Sequence, residues 1–294
     1  MRSADSTARP FLKARVWTAA TLLALATAVG SPVVLTAQAP APAFDVASVK
    51  SNKSGDRRVM MRTAPGGRYT ATNVTLRDLV REAYHLLPSQ LAGEPEWMVR
   101  DRFDIIAKAD GGVDEPSLED PQAGPNRLQL MLRALVADRF KLVAHEDTRE
   151  LSIYALTLAR TDRRLGPGLR PSIGDCTKGS AGGADAFDCG LSIGPTRVTG
   201  KRVPLSQLAG GLAGIVQRVT VDRTALSGRF DFDLSYTPDI IDAGSTVKIV
   251  AVGGDPNGPS IFTALQEQLG LKLEPSRGPV TVLVIDTVQH PTED

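Results

Sequence analysis

From Arg68 onward one pattern is written twice, and a chain that repeats itself over this length is expected to fold as two comparable bodies. Arg68-Tyr69-Thr70 leads into Val74-Thr75-Leu76 and a helical stripe, and Arg197-Val198-Thr199 leads into Val203-Pro204-Leu205 and another, an offset of 205 − 76 = 129. The offset stays nearly constant. Arg102-Phe103-Asp104 recurs as Arg229-Phe230-Asp231 (229 − 102 = 127), and Lys141-Leu142 recurs as Lys272-Leu273 (272 − 141 = 131). The repeat argues for a scaffold and names no reaction.

Four segments carry the helical period at matching places. Leu76, Leu79, Val80, Ala83, Tyr84 and then Leu128, Met131, Leu132, Leu135, Val136 are full i, i+3, i+4, i+7, i+8 stripes. Leu205, Leu208, Ala209, Leu212, Ala213 repeat the stripe, and Ile261, Ala264, Leu265, Leu269 repeat it with Gln268 at i+7. Helix starts are marked by Thr75 with Asp78 three residues on, by Pro204 at a first-turn position and by Ser260; Gly270 ends the last helix.

Segments between the helices alternate with period two. Phe103, Ile105 and Ala107 face one way against Arg102, Asp104 and Lys108, and Phe230, Phe232, Leu234 oppose Arg229, Asp231, Asp233. Two hairpins are expected: Lys141 to Glu146 with Leu151 to Ala159, and Lys272 to Glu274 with Val280 to Val288 around Pro275 and Gly278-Pro279. Val280 to Ile285, apolar on nearly both faces, suits a central strand. Phe44 to Val49 reads as a first strand outside the repeat. The fold class is therefore α+β, internally duplicated, each half with two helices packed on a mostly antiparallel sheet. Acidic and proline-containing 111–126 and glycine-rich 239–259 read as surface loops.

With 42% hydrophobic and 23% charged residues and a net charge of +1, the balance suggests neither disorder nor a nucleic-acid footprint. The beginning of the chain differs. Arg2, Arg9, Lys13 and Arg15 precede the apolar run Val16 to Val29, and Ala37-Gln38-Ala39 supplies a small-residue cleavage pattern. Gly30 and Pro32 break the run short of the roughly 20 residues of a membrane span. Residues 1–39 thus read as a secretory signal cleaved near Ala39, with an uncleaved anchor as the alternative. The first repeat then covers 40–164, a disulfide-stapled linker 165–195 and the second repeat 196–294. Export gives Cys176 and Cys189 a meaning: they close a glycine-rich loop of 189 − 176 + 1 = 14 residues, and one disulfide is expected there. Such a loop is stabilised by about 3 kcal/mol in the chain-entropy model. Two thiols without a nearby histidine fall short of the four ligands of a structural zinc site.

Few residues invite chemistry. His85 closes the first stripe, where it can cap the last turn. His145 lies on an expected strand with Asp147 on its face, read as a solvated hairpin end rather than an acid–base site. His290 stands four residues before Asp294. None has a metal partner at ligand spacing, and no His-Glu-x-x-His helix occurs. Asp231 and Asp233 share a face with Arg229 and read as a structural ladder. Glu94 and Glu96 flank Pro95; Gly66-Gly67 and Gly253-Gly254 are turn formers without the Lys-Ser/Thr of a phosphate loop. Trp97, after Gly93-Glu94-Pro95-Glu96 and between a helix and a strand where a groove can open, is the candidate binding residue; core packing is the competing reading.

The wording of several segments is shared with a known group. Phe44-Asp45-Val46-Ala47-Ser48-Val49-Lys50, Asn73-Val74-Thr75-Leu76-Arg77-Asp78-Leu79, Asp101-Arg102-Phe103-Asp104, Leu135 to Leu142 and Ser260 to Leu273 resemble a large soil-associated family of secreted bacterial proteins, over about residues 44 to 291. That family has no assigned activity. A similar domain forms the extracytoplasmic part of some antirepressor-type sensor metallopeptidases, so the resemblance implies sensing or binding. The zinc-binding helix and multiple spans of those peptidases are not in this sequence, and no protease role carries over. The helix–strand–strand units also look like the short N-terminal modules of secretins and TonB-dependent receptors.

The expectation is a secreted or periplasmic, non-catalytic binding or sensory module, with Trp97 as its binding residue and no cofactor or metal. Its partner would be an envelope protein or a small ligand, not nucleic acid, with membrane contact only through an uncleaved N-terminal segment. Two alternatives stand beside it. One is an extracytoplasmic hydrolase with an unrecognised Asp, Glu or His145 site; the other is an envelope structural protein docking by strand addition. A concavity with convergent polar groups is what would separate them.

Overall fold

Thr75 opens helix α1 (Leu76–Tyr84) with a reciprocal pair of bonds: its hydroxyl accepts from the Asp78 N–H, and the Asp78 carboxylate accepts from the Thr75 N–H. Two donors that the first turn would otherwise orphan are thereby satisfied. Leu76, Leu79, Val80 and Ala83 are buried, and His85 closes the helix in a left-handed conformation with φ 52°. This is a computed structural model, and it describes residues 42–56, 58–110, 124–173, 189–238 and 258–292. The expected signal at 1–39, most of both expected surface loops, Cys176 and Gly253-Gly254 lie outside the described residues.

The other helices follow their stripes. Helix α2 is a four-residue turn, Trp97–Arg100, which the periodicity did not foresee. Helix α3 (Arg127–Arg139) starts with a second reciprocal cap, Asn126 with Gln129, and buries Leu128, Met131, Leu132, Leu135 and Val136. Helix α4 (Leu205–Val216) has Pro204 at its N-cap, one place before the expected first-turn position. Helix α5 (Ile261–Ala264), capped by Ser260, runs into a π-helical turn, Leu265–Leu269, that Gly270 ends at φ 69°. The wider turn keeps Leu269 buried. It leaves Gln268 free to hold Ser235, accepting from its N–H at 3.0 Å and donating to its carbonyl at 2.7 Å.

Twelve strands are described: β1 (Val46–Ser51), β2 (Met60–Ala64), β3 (Arg68–Thr75), β4 (Leu91–Ala92), β5 (Arg102–Lys108), β6 (Val143–Leu158), β7 (Leu169–Pro171), β8 (Gly190–Ile193), β9 (Arg197–Val203), β10 (Thr220–Asp222), β11 (Phe230–Ser235) and β12 (Leu271–Thr287). They form three four-stranded sheets, ordered β1-β5-β3-β2, β10-β6-β12-β4 and β7-β11-β9-β8. The first and third are antiparallel throughout, and the α+β class stands. Gly66 and Gly67, both at positive φ, turn β2 into β3 as expected.

The two expected hairpins do not form. Each segment is one uninterrupted strand, β6 of 16 residues and β12 of 17, and they pair with each other from Leu271 opposite Leu158 to Thr287 opposite Val143. Asp147 to Glu150 and Pro275 to Pro279 sit inside this ladder. Among the described residues, the only strand beside β12 besides β6 is β4, at Leu283 and Val284, so within them the prolines lie where one edge of β12 has no neighbour and a missing N–H forfeits no bond. The ribbon joins early and late parts of the chain in one sheet, and β4 and β10 run parallel to β12 and β6.

The repeated Arg-Phe-Asp triplet has the same geometry each time. The β3–β5 register slips between Ala71 and Val74, where Asn73 is left-handed at φ 57°; Asp104 accepts from the Asn73 N–H at 2.9 Å and Arg102 donates to its carbonyl at 3.1 Å. The β9–β11 register slips between Phe230 and Phe232, where Arg202 has φ 55°; Asp231 accepts from its N–H at 2.8 Å and Arg229 donates to its carbonyl at 2.9 Å. A residue bulged out of the ladder loses its partners there, and the flanking Arg and Asp replace them. This corrects the expected ladder. Arg229 holds backbone, and Asp233 is paired by Arg197 from β9.

Two apolar clusters result. One gathers Val49, Tyr69, Ile105 and Phe103 with α1 and α3, and Phe103 meets Phe140 edge-on at 5.3 Å. The other gathers Val198, Phe230, Phe232 and Leu234 with α4 and α5. Leu283 and Ile285 from β12 enter the first cluster and Leu271 and Leu273 the second, so one strand serves both.

Candidate functional site

A cleft of about 510 Å³ opens where β1 ends and β5 begins, lined by Ser51, Asn52, Lys53, Arg100, Asp101, Arg102, Phe103, His290 and Pro291. Its walls come from three places in the chain. Asn52 is held by its N–H to the Arg102 carbonyl at 2.7 Å and by its side-chain amide to Asp104 at 2.8 Å. Arg100 ends α2, and the Asp101 N–H closes that turn on the Trp97 carbonyl at 2.8 Å. The segment after β12 is pinned by the Gln289 N–H to the Phe140 carbonyl at 2.7 Å, which delivers His290 to the cleft.

Trp97 stands beside this cleft through its contact with His290, which lines it. It is half-buried, packs against the first core and stacks on the His290 ring with centroids 4.0 Å apart and planes 26° from parallel. One side of the indole thus packs on the core and the other meets an imidazole. His290 Nε2 lies 2.9 Å from Asp101 Oδ2, so the imidazole is fixed between a carboxylate and an aromatic face. Three cations line the walls against one carboxylate. Arg100 pairs with Glu96 at 2.7 Å and Arg102 serves the Asn73 carbonyl, which leaves Lys53 exposed and without an ion pair among the described residues. An aromatic edge beside donors and cations has the chemistry to meet a small molecule bearing negative charge.

The other candidates are partnered elsewhere. His145 lies on the β6–β12 ribbon, 2.8 Å from Asp286 on the neighbouring strand, so the hairpin end expected around it is a strand interior instead. Asp147 is held below the usual carboxylate range, chiefly by its bond from Arg149. Glu94 receives two bonds from Arg77, at 2.5 and 2.9 Å, which raise the guanidinium's affinity for its proton, while Glu96 turns to Arg100. The two glutamates therefore do not converge. A shallower hollow of about 300 Å³ lies beside Arg160, Arg164 and Gly270. There the Arg160 hydrogen bond draws the Asp162 carboxyl down to about 2. Cys189 is half-buried, its sulfur 3.6 Å from Arg202 Nη1; Cys176 lies outside the described residues. Among the described residues no three His, Cys, Asp or Glu side chains gather as metal ligands, and no helix is long and apolar enough to cross a membrane.

The sequence singled out Trp97 but not its companions. His290, Asn52 and Lys53 lie in no motif, Asp101 only opens the Asp-Arg-Phe-Asp segment, and His290 and Asp101 are separated by 189 positions. Only the repeated Arg-Phe-Asp triplet next to Asp101 marked the neighbourhood.

Comparison with known proteins gives one match. A family model described as protein of unknown function (DUF3738) covers residues 77–288. No curated protein and no solved structure matches the chain.

Proposed function

The match makes this chain a member of the DUF3738 family, and on that premise we propose that it is an exported binding or sensory module whose ligand, a small anion, enters the cleft at Trp97. The observation that carries the reading is the Trp97–His290 stack, tied to Asp101 and set beside Lys53, Arg100 and Arg102. Binding there needs no nucleophile and no movement of the core. Export is part of the proposal and is supported by the basic, apolar and small-residue pattern of residues 1–39. A Cys176–Cys189 disulfide belongs with it, supported by the absence of a free cysteine among the described residues. We read the two Arg-Phe-Asp clamps and the two equivalent strand orders as the product of internal duplication; superposing residues 60–164 on 190–288 tests this, and helices out of register would end it.

The cleft has a built-in reporter. The chain contains two tryptophans, Trp17 and Trp97. In a Trp17→Phe background the indole emission therefore comes from the cleft alone. Titration with inorganic phosphate or succinate should shift that emission, glucose should not, and Lys53→Gln should weaken the response several-fold with circular dichroism unchanged. Identical emission with all three probes would discard the binding reading.

A further inference from the structure

The first sheet turns one face to solvent, and the charge on that face is unbalanced. On β5, Phe103, Ile105 and Ala107 enter the core while Ile106 and Lys108 stand exposed. The register carries this outward face across all four strands. Val46, Lys108, Arg68 and Ala64 make one cross-strand row and Ser48, Ile106, Thr70 and Arg62 the next; Lys50 lies opposite Asp104, and Met60 opposite Thr72. Lys50, Arg62, Arg68 and Lys108 are all exposed, and none makes an ion pair among the described residues. The one carboxylate on the face among the described residues, Asp104, is occupied by the Asn73 N–H and the Asn52 amide. Between the cations stand three uncovered apolar side chains, Val46 at 67% exposure, Met60 at 53% and Ile106 at 52%.

The third sheet supplies an internal comparison. Its outward face sets Arg170, Arg197 and Lys201 against Asp231 and Asp233, with Asp233 ion-paired to Arg197. Counted from the Arg-Phe-Asp triplet, Asp233 occupies on β11 the place of Ile106 on β5. No large apolar side chain is exposed on that face among the described residues. One sheet thus offsets most of its positive charge and exposes no large apolar side chain among the described residues, and the other is basic and apolar together.

We propose that the outward face of the first sheet rests on an anionic lipid bilayer, its four cations among the headgroup phosphates and Val46, Met60 and Ile106 at the acyl boundary. A soluble polyanion would satisfy the cations and leave the three apolar side chains in water; a bilayer interface takes both. A second copy meeting the same face would bring four cations against four. This membrane contact goes beyond the N-terminal segment to which sequence reasoning confined it, and it uses none of the cleft residues.

The test uses residues 40–294, which hold every described element in one compact unit and omit the apolar run that would itself partition into lipid. Sedimentation with vesicles of phosphatidylglycerol and phosphatidylcholine should capture the protein, vesicles of phosphatidylcholine alone should not, and added salt should release it. Each cation replaced should cost roughly fivefold in partitioning, so Lys50→Gln, Arg62→Gln, Arg68→Gln and Lys108→Gln together should lose on the order of several hundredfold. Ile106→Asp, which installs the residue found at the matching place of β11, should weaken capture on its own. Arg170→Gln with Lys201→Gln on the third sheet should leave it unchanged. Equal capture by both vesicle types, or capture insensitive to the fourfold variant and to Ile106→Asp, would overturn the proposal. So would the absence of vesicle capture, and retention on immobilised heparin in that case would assign the face to a soluble polyanion. The Trp97 emission titration of the fourfold variant should match the parent, which keeps this outcome separate from that of the cleft.

Discussion

Replacing Asp104 by alanine removes the acceptor on which the first bulge depends, and the structure sets the size of the effect. Asn73 is 3% exposed, and its N–H has left the ladder for the Asp104 carboxylate at 2.9 Å. A buried donor stripped of its partner costs about 1–3 kcal/mol. The second bond, from the half-buried Asn52 amide at 2.8 Å, adds roughly 1 kcal/mol, for a total of about 2–4 kcal/mol. Asp104→Asn retains an acceptor oxygen toward Asn73 and should cost no more than about 1 kcal/mol. Asp231→Ala removes one bond to the less buried Arg202 N–H and should cost about 1–2 kcal/mol, less than its counterpart. Urea unfolding with an unchanged slope reads these differences directly. If Asp104→Ala and Asp104→Asn proved equally tolerated, the carboxylate would not be what holds the bulge.

Two further outcomes follow from single groups. Tyr69 is 1% exposed and its hydroxyl has no hydrogen-bond partner, with burial pushing its pKa upward; Tyr69→Phe should therefore raise the urea midpoint, by about 1 kcal/mol in stability, and a loss of similar size would reveal a partner for the hydroxyl. The carboxyls of Asp233, Asp162 and Glu274 are depressed first by bonds from Arg197, Arg160 and Lys272, that of Asp162 to about 2. Depressed folded-state values contribute stability that is present above the ordinary carboxylate range, near about 4, and lost as pH falls through the folded values. The urea midpoint should therefore decline modestly between pH of about 4 and about 2, these groups being exposed, and Arg160→Gln should flatten part of that decline; a midpoint constant over the interval would contradict it.

Much of the local structure was legible because it is set by neighbours in sequence. The Thr75–Asp78 box, the Ser260 cap, the Gly270 stop and the buried stripes of α1 and α3 each involve residues three to eight positions apart. The hairpins at Asp147 and Pro275 were misread for the same reason. Turn-forming residues were weighed by local preference, whereas a ribbon pairing Leu271 with Leu158 keeps them in an extended strand, and an open edge makes the prolines harmless. The cleft's composition lay beyond reach, Trp97 apart, because Trp97, Asp101 and His290 are brought together by where β12 ends and by the Gln289 bond to Phe140.

The sequence by itself determined the class of elements, their order, the caps and the alternation that gives each strand a buried and a wet face. Only the tertiary structure decided which strands are neighbours: β6 with β12 across the chain, an imidazole on an indole, and four cations on one sheet surface. The reason is physical. Caps and stripes are satisfied within one or two turns of backbone, while strand pairing and surface charge are settled by which distant segments bury each other's apolar faces.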